Sequence, residues 1–277
     1  MLRLSPITLL CCRGESVLAS LPSTVERVAS EKKRIGSDHN HPLVTLVFAY
    51  YENPGMLELQ WQEISQYPSV LKKAISVIVV DDASPRSPAG EVPRPKSLPK
   101  HSIFRLDRDI RWNQDAARNI GAHEATTPWL FLTDIDHVIP AATLEELLAM
   151  EKDAQAFYTF GRVKFANGER RESHPNTYFM TKELYWRIGG HDEDYAGIYG
   201  KDFLFRKRAQ RISSERHLAH LSIARVGSTM VSDAGTRTIS RKNTLRQRMW
   251  GYILPVMKSL KLWRGVQTLT ENYRRVV

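Results

Sequence analysis

The chain has almost no cysteine: two residues in 277, Cys11 and Cys12, and they are adjacent. Neighbouring cysteines rarely bridge each other, so no disulfide framework is available, and a reducing, cytoplasmic setting fits. Long apolar runs are missing too, since none approaches the roughly 20 residues that cross a bilayer. One short greasy patch, Ile7 to Cys12, follows Arg3 but is cut off by Arg13 and Glu15, which makes a poor signal peptide. Internal repeats and low-complexity tracts are also lacking. A strong charge of one sign is absent from the body of the chain. The net charge is +10, but residues 241–277 hold nine Lys or Arg against one acid, Glu271, so the remainder carries only +2. That distribution argues against a nucleic-acid-binding protein that uses its whole surface.

What is present begins to look regular after about residue 40. Residues 1–40 read as a leader, residues 41–238 as a folded body and residues 239–277 as a basic tail. Leu43–Ala49 is an apolar, β-branched run that reads as a buried strand, broken by Asn53-Pro54-Gly55. Leu57, Trp61 and Ile64 then recur at helical spacing. Ile75–Val80, Ile103–Leu106 and Trp129–Leu132 read as three more strands. Asn113–Ala125 reads as a helix with Asn113 or Asp115 as its cap, and Leu144, Leu147 and Leu148 mark another helix. Beyond Phe157 the grammar loosens. Phe157–Phe165 looks like a strand, Asn167-Gly168 a hairpin-type turn, Tyr178–Thr181 a short strand and Asp202–Arg211 a helix. Strands and helices in this order predict an α/β fold with a mainly parallel central sheet. The uninterrupted apolar strands predict helices on both faces.

In such sheets a ligand lies beyond the carboxyl ends of the strands. Three polar clusters stand there: Tyr50-Tyr51-Glu52, Asp81-Asp82 and Asp134-Ile135-Asp136. They should converge on one crevice. Asp-x-Asp is weak by itself, because a chain this long contains about one by chance. Here there are three, at Asp107–Asp109, Asp134–Asp136 and Asp192–Asp194, and the second stands at the end of the buried strand Trp129–Leu132. Carboxylates at alternate positions of an extended end can share one hard cation, Mn2+ or Mg2+, which in turn binds phosphate oxygens. The competing reading is a solvated turn. For Asp81-Asp82 the alternatives are an Asp-capped turn or a contact to a base or ribose. In Arg111–Gly121, the small Ala116, Ala117 and Gly121 allow a helix to pack close on the sheet. Arg118 and Asn119 then sit near the crevice, unless that helix is a plain surface element.

Taken together, these segments resemble the family 2 glycosyltransferases of GT-A fold. The resemblance rests on a first strand ending at a polar aromatic, Val80-Asp81-Asp82-Ala83-Ser84, Ala117-Arg118-Asn119-Ile120-Gly121 and Asp134-Ile135-Asp136, in that order over residues 43–140. It implies a nucleotide-binding half at 41–140 and an acceptor half at 141–238. It implies that Tyr50, Glu52, Asp81, Asp82, Arg118, Asn119 and Asp134 form the nucleotide pocket and that Asp134 and Asp136 hold the metal. The donor would be a nucleoside-diphosphate sugar, of UDP type, and the acceptor a glycan or other hydroxyl. Ile188-Gly189-Gly190-His191-Asp192-Glu193 and Gly200-Lys201-Asp202 resemble the family's acceptor-side segments, with Lys201 where a Glu is usual. Asp202 would be the general base of an inverting transfer, and a helix N-cap is its plainer role. Candidates for a third metal ligand are His137, His217, His220 and Asp233, and His191 is a candidate acceptor contact.

The tail offers Trp250, Ile253, Leu254, Met257, Leu260 and Trp263 on one broad helical face, with Pro255 as a kink and Arg246, Arg248, Lys258, Lys261 and Arg264 around it. Such a helix can lie on an anionic membrane, dock on the enzyme, or pair two subunits in a homodimer. Two other functions compete. A nucleotidyltransferase would want a Gly-rich loop with Lys or Arg after the first strand, where Tyr50-Tyr51-Glu52-Asn53-Pro54 stands instead. A nucleic-acid binder led by the tail would leave the strand-end aspartates unexplained.

Overall fold

The structure is a computed structural model, and it describes residues 41–201, 203–227, 230–231, 242–263 and 273–277. The leader at 1–40, Asp202, Asp233 and Arg264 lie outside the described residues. Ten strands form one sheet: β1 (Val44–Tyr50), β2 (Ile75–Asp81), β3 (Lys100–Leu106), β4 (Trp129–Asp134), β5 (His137–Val138), β6 (Ala156–Lys164), β7 (Arg170–Arg171), β8 (Tyr178–Thr181), β9 (Ser214–Arg225) and β10 (Tyr273–Arg275). Their order is β10-β3-β2-β1-β4-β8-β6-β9-β5, with β7 on β6. The centre, β3-β2-β1-β4, is parallel, whereas β8 runs antiparallel to β4. Among the described residues seven α-helices accompany it: α1 (Pro54–Ser65), α2 (Ser69–Ala74), α3 (Gln114–Glu124), α4 (Ala141–Ala149), α5 (Lys182–Arg187), α6 (Phe203–Ile212) and α7 (Leu245–Ser259). Among the described residues no helix is long and apolar enough to cross a membrane.

Alternation along the strands divides the core in two. Leu46 and Phe48 of β1, with Val77 and Val79 of β2, pack under Leu57, Trp61 and Ile64 of α1 and Leu144 and Leu147 of α4. Val47, Ile78, Val80, Leu130 and Leu132 face the other way, under Ala116, Ala117 and Ile120 of α3, Leu184 of α5 and Phe205 of α6. Every residue of β2 is buried, as expected for a strand covered on both faces. Asn53 caps α1 by accepting from Met56 N at 3.3 Å, and Pro54 at the first turn costs no hydrogen bond.

Some elements escape the sequence pattern. β9 is half-buried, and its pairing with β6 jumps from Phe160–Leu218 to Gly161–Ser222, so a bulge breaks the two-residue period. The basic tail is not one helix. Helix α7 runs through Pro255, and the later residues Tyr273–Arg275 return as an edge strand on β3. Nor do the tail's apolar residues share a face. Trp250, Leu254 and Trp263 pack on Tyr195 and Ile198, whereas Ile253 and Leu260 are exposed.

Helix α3 packs close on β1 at Gly121. A Cβ there would lie 2.3 Å from Val47 Cγ1, on a β-branched side chain with little freedom to yield. Gly121→Ala should gain up to about 1 kcal/mol of helix propensity but cost about 1–3 kcal/mol in overpacking. The net expectation is destabilisation, read as a lower urea midpoint; a midpoint at or above wild type would show that α3 can move off β1 freely.

Candidate active site

Register brings the three clusters together. Tyr50 of β1 pairs with Asp81 of β2, and Ala49 of β1 pairs with Asp134 of β4, so their ends open on one edge of the sheet. The two neighbouring aspartates then part ways. Asp81 is buried and fully occupied: it accepts from Ser84 N at 2.8 Å, from Ala89 N at 2.9 Å and from Arg105 Nη1 at 3.0 Å. Glu52 does the same for the adjoining turn, accepting from Arg86 N at 2.8 Å, Ser87 N at 3.0 Å and Arg86 Nε at 3.0 Å. Burial alone would raise the Glu52 carboxyl, but these donors outweigh it and hold it below the usual carboxylate range. The same bonds keep Glu52 in the left-handed region at φ 47°, a conformation that costs a non-glycine residue about 1–2 kcal/mol. Tyr50 donates to Ser87 O at 2.5 Å, and Tyr51 donates to Asp109 Oδ2 at 3.2 Å. Tyr50, Glu52 and Asp81 thus shape the 84–91 loop.

Asp82 is different. Its Oδ2 accepts from Asn113 N at 3.2 Å, whereas its Oδ1 is buried with no hydrogen-bond partner among the described residues. Burial pushes this carboxyl well above its ordinary range, assisted by the charges of Asp109 and Asp81. Asn113, at the cap position of α3, makes no side-chain capping bond there. A buried acceptor left without a donor costs about 1–3 kcal/mol, and a ligand hydroxyl or ring N–H would relieve it.

At the end of β4, Asp134 is held from three sides. The wholly buried Arg118 of α3 donates to it, His174 Nε2 lies 3.3 Å away, and Asn176 Nδ2 donates at 3.4 Å. Burial works to raise its pKa, but Arg118 and His174 overcome that and hold the carboxyl far below its usual range. Asp136 pairs with His137 Nδ1 at 2.6 Å and lies 3.6 Å from Arg225 Nε. His137 is buried, which lowers its pKa despite Asp136, and its ring lies 4.0 Å from that of His174. The site therefore brings His137 to Asp136. His217 bonds instead with Thr159 at 3.1 Å and His220 with Glu146 at 3.1 Å, farther back along β9.

Sequence reasoning missed His174 and Asn176. They precede β8, and only the antiparallel pairing of β8 with β4 carries them to Asp134. Among the described residues no group of three or more His, Cys, Asp and Glu side chains is arranged as a metal cage. Two part-exposed carboxylates, 27% and 31% accessible, do suit a hard cation that takes its other oxygens from phosphates and water.

On the second half of the site, Asn119 is saturated. It donates to His191 O at 2.9 Å and Glu193 Oε1 at 2.7 Å, and accepts from Tyr185 Oη at 2.6 Å and His191 N at 2.8 Å. Gly190, at φ +62°, admits this amide, since a Cβ would stand 2.7 Å from Asn119 Oδ1. His191 is buried and stacked 4.2 Å from Phe205, and burial pushes its pKa well down. Asp192 and Asp194 are both bound by Lys258 of α7, each at 2.5 Å. Lys201 Nζ lies 5.9 Å from the ring centres of Tyr195 and Tyr252, against Gly251 of α7.

Known structures share this architecture at low identity. GalNAc-T7, solved with UDP, GalNAc and Mn2+, superposes with a TM-score of 0.52 at 15% identity, over 69% of this chain and 45% of its own. The mannosyltransferase PcManGT from Pyrobaculum calidifontis, in complex with GDP-Man and Mn2+, gives 0.50 at 14% identity, over 87% and 73%. TarS of S. aureus gives 0.53 at 16% identity, over 67% and 37%. The chain thus spans under half the length of GalNAc-T7 and of TarS. No curated protein sequence matches it significantly. These likenesses show the GT-A fold, and the profile of glycosyl transferase family 2 matches residues 47–210, more than half of the sequence. With its strand-end aspartates, its Arg118 helix and its sheet all in the expected order, the chain belongs to glycosyl transferase family 2.

Proposed function

We propose that the protein transfers a sugar from a nucleoside-diphosphate sugar to an acceptor hydroxyl, with Mn2+ or Mg2+ on the diphosphate. The observation that carries this reading is the pairing of Asp82, with its unsatisfied buried oxygen, and the part-exposed Asp134 and Asp136 at one edge of a parallel sheet. Asp82 accepts from the base or ribose. Asp136, with Asp134 beside it, holds the cation, whose chemistry would be to offset charge on the departing nucleoside diphosphate. Arg118 and His174 keep Asp134 ionised and fix its direction. Tyr50, Glu52 and Asp81 hold the loop that walls the nucleotide, and Asn119 positions the acceptor segment. The neighbouring complexes hold UDP in one case and GDP-Man in the other, so both bases belong in the test, with a UDP-sugar as the first choice.

Asp202, one residue before α6, is the general base in this reading. It takes the acceptor's proton as that oxygen attacks the anomeric carbon from the face opposite the leaving diphosphate, and the sugar's configuration inverts. Ordering of the 189–200 segment would keep water from the donor. The domain reading follows: 41–140 serves the donor and 141–238 the acceptor.

A panel of UDP- and GDP-sugars with Mn2+ should raise the melting temperature for at least one donor and release nucleoside diphosphate when an acceptor is present. No metal-dependent shift with any donor would sink the proposal. Asp136→Asn should abolish the metal-dependent part of binding, and Asp202→Asn should spare donor binding while losing transfer.

Asp82→Asn has a sharper signature. A carboxyl whose folded pKa is raised favours the fold below its unfolded pKa, and that benefit is lost as pH rises through the folded value. At neutral pH the buried Asp82 is therefore a liability, and Asn should raise the ligand-free melting temperature while weakening nucleotide binding about tenfold or more. A variant that loses stability, or binds as well as wild type, would remove Asp82 from the pocket.

A further inference from the structure

Helix α7 is apolar on two sides, and among the described residues only one is covered. At 100° per residue, Trp250, Leu254 and Lys258 share the side that meets Tyr195, Ile198 and Asp192. The opposite side carries Leu245, Met249, Tyr252, Ile253, Val256 and Leu260, which fall within an arc of about 100°. These six are 44–78% exposed. Scattered exposed apolar residues need no explanation, but a continuous stripe of this kind marks a contact surface.

The charges around the stripe identify its partner. On the same projection Arg246 and Arg248 fall on its two edges, Lys261 follows its end, and all three are exposed. Residues 242–263 contain no Asp or Glu. We infer that the stripe lies in the interface of an anionic lipid bilayer, its apolar side chains among the acyl chains and its basic edges at the headgroups. A second copy of the chain is the poorer occupant. A two-fold contact sets the same patch against itself, so the basic edges of one copy would meet those of the other. The surface is also a convex helix flank rather than a groove. A bilayer accepts such a shape without a complementary partner. Because the inner side of α7 is clamped by Lys258 to Asp192 and Asp194, lipid contact would orient the acceptor half toward the membrane. The inference does not depend on the transfer reading.

The test is co-sedimentation of the whole protein with vesicles of phosphatidylcholine, with and without phosphatidylglycerol, at two salt concentrations. Binding should require phosphatidylglycerol and weaken with salt. Met249→Glu with Val256→Glu should lower vesicle affinity at least tenfold, whereas Met249→Leu with Val256→Ile should retain it. Arg246→Gln with Arg248→Gln should lose on the order of tenfold and flatten the salt dependence. Circular dichroism and melting temperature of all three variants should match wild type, since these positions are exposed. No binding to the anionic vesicles, or equal binding by the glutamate and arginine variants, overturns the inference. So does sedimentation velocity showing a wild-type dimer that the glutamate variant converts to monomer, since the stripe would then be covered by a second copy. Vesicle binding needs no donor, so its failure is distinct from failure of the nucleotide-sugar panel.

Discussion

The site is organised around one ion pair, the buried Arg118 with the part-exposed Asp134. An arginine with 1% of its surface exposed must be matched by carboxylates, here Asp134 and, at 3.4 Å, Asp115. The pair fixes helix α3 against the end of β4. From that one helix, Asn113 reaches Asp82, Arg118 reaches Asp134, and Asn119 reaches the Gly189-Gly190 turn. Both halves of the site are therefore referenced to α3, and α3 is referenced to the sheet through the bare Cα of Gly121. If the helix moved, Asp82, Asp134 and the 190–193 segment would move with it.

Much of this was legible in the sequence between residues 43 and 140, for a physical reason. Strands buried on both faces must be continuous apolar runs, and their ends must be polar, so the crevice can be read as the place where such runs stop. Beyond Phe157 the strands are half-buried or short. The bulge at Gly161 removes the alternation from β9, and Arg274 and Arg275 in β10 look like tail charge until they are paired with β3. Within the site, the sequence could not tell Asp81 from Asp82. Adjacent residues of an extended end face opposite ways, and only the path of the 84–91 loop determines which carboxylate it consumes. His174 and Asn176 were hidden for another reason: their role depends on the direction of β8, which composition does not encode.

The segment 189–201 is tied to an element far away in sequence. Lys201 Nζ lies 5.9 Å from the ring centres of Tyr195 and Tyr252, against Gly251 of α7. Lys258 of the same helix neutralises Asp192 and Asp194, two acids that would otherwise repel each other beside the turn. The tail's basicity is in part the complement of this acidic loop.

The edge strand β10 has a consequence for how the chain reaches its fold. It lies against β3 across about 170 residues of intervening sequence, a contact of very high separation. On a ribosome, every other described strand is synthesised before β10. Until then β3 offers an open row of backbone donors and acceptors, including those of the apolar Ile103. The sheet is thus vulnerable to pairing with another nascent chain during an interval set by translation rather than by stability. Lys100 on that same strand is the sort of charge that keeps a waiting edge soluble.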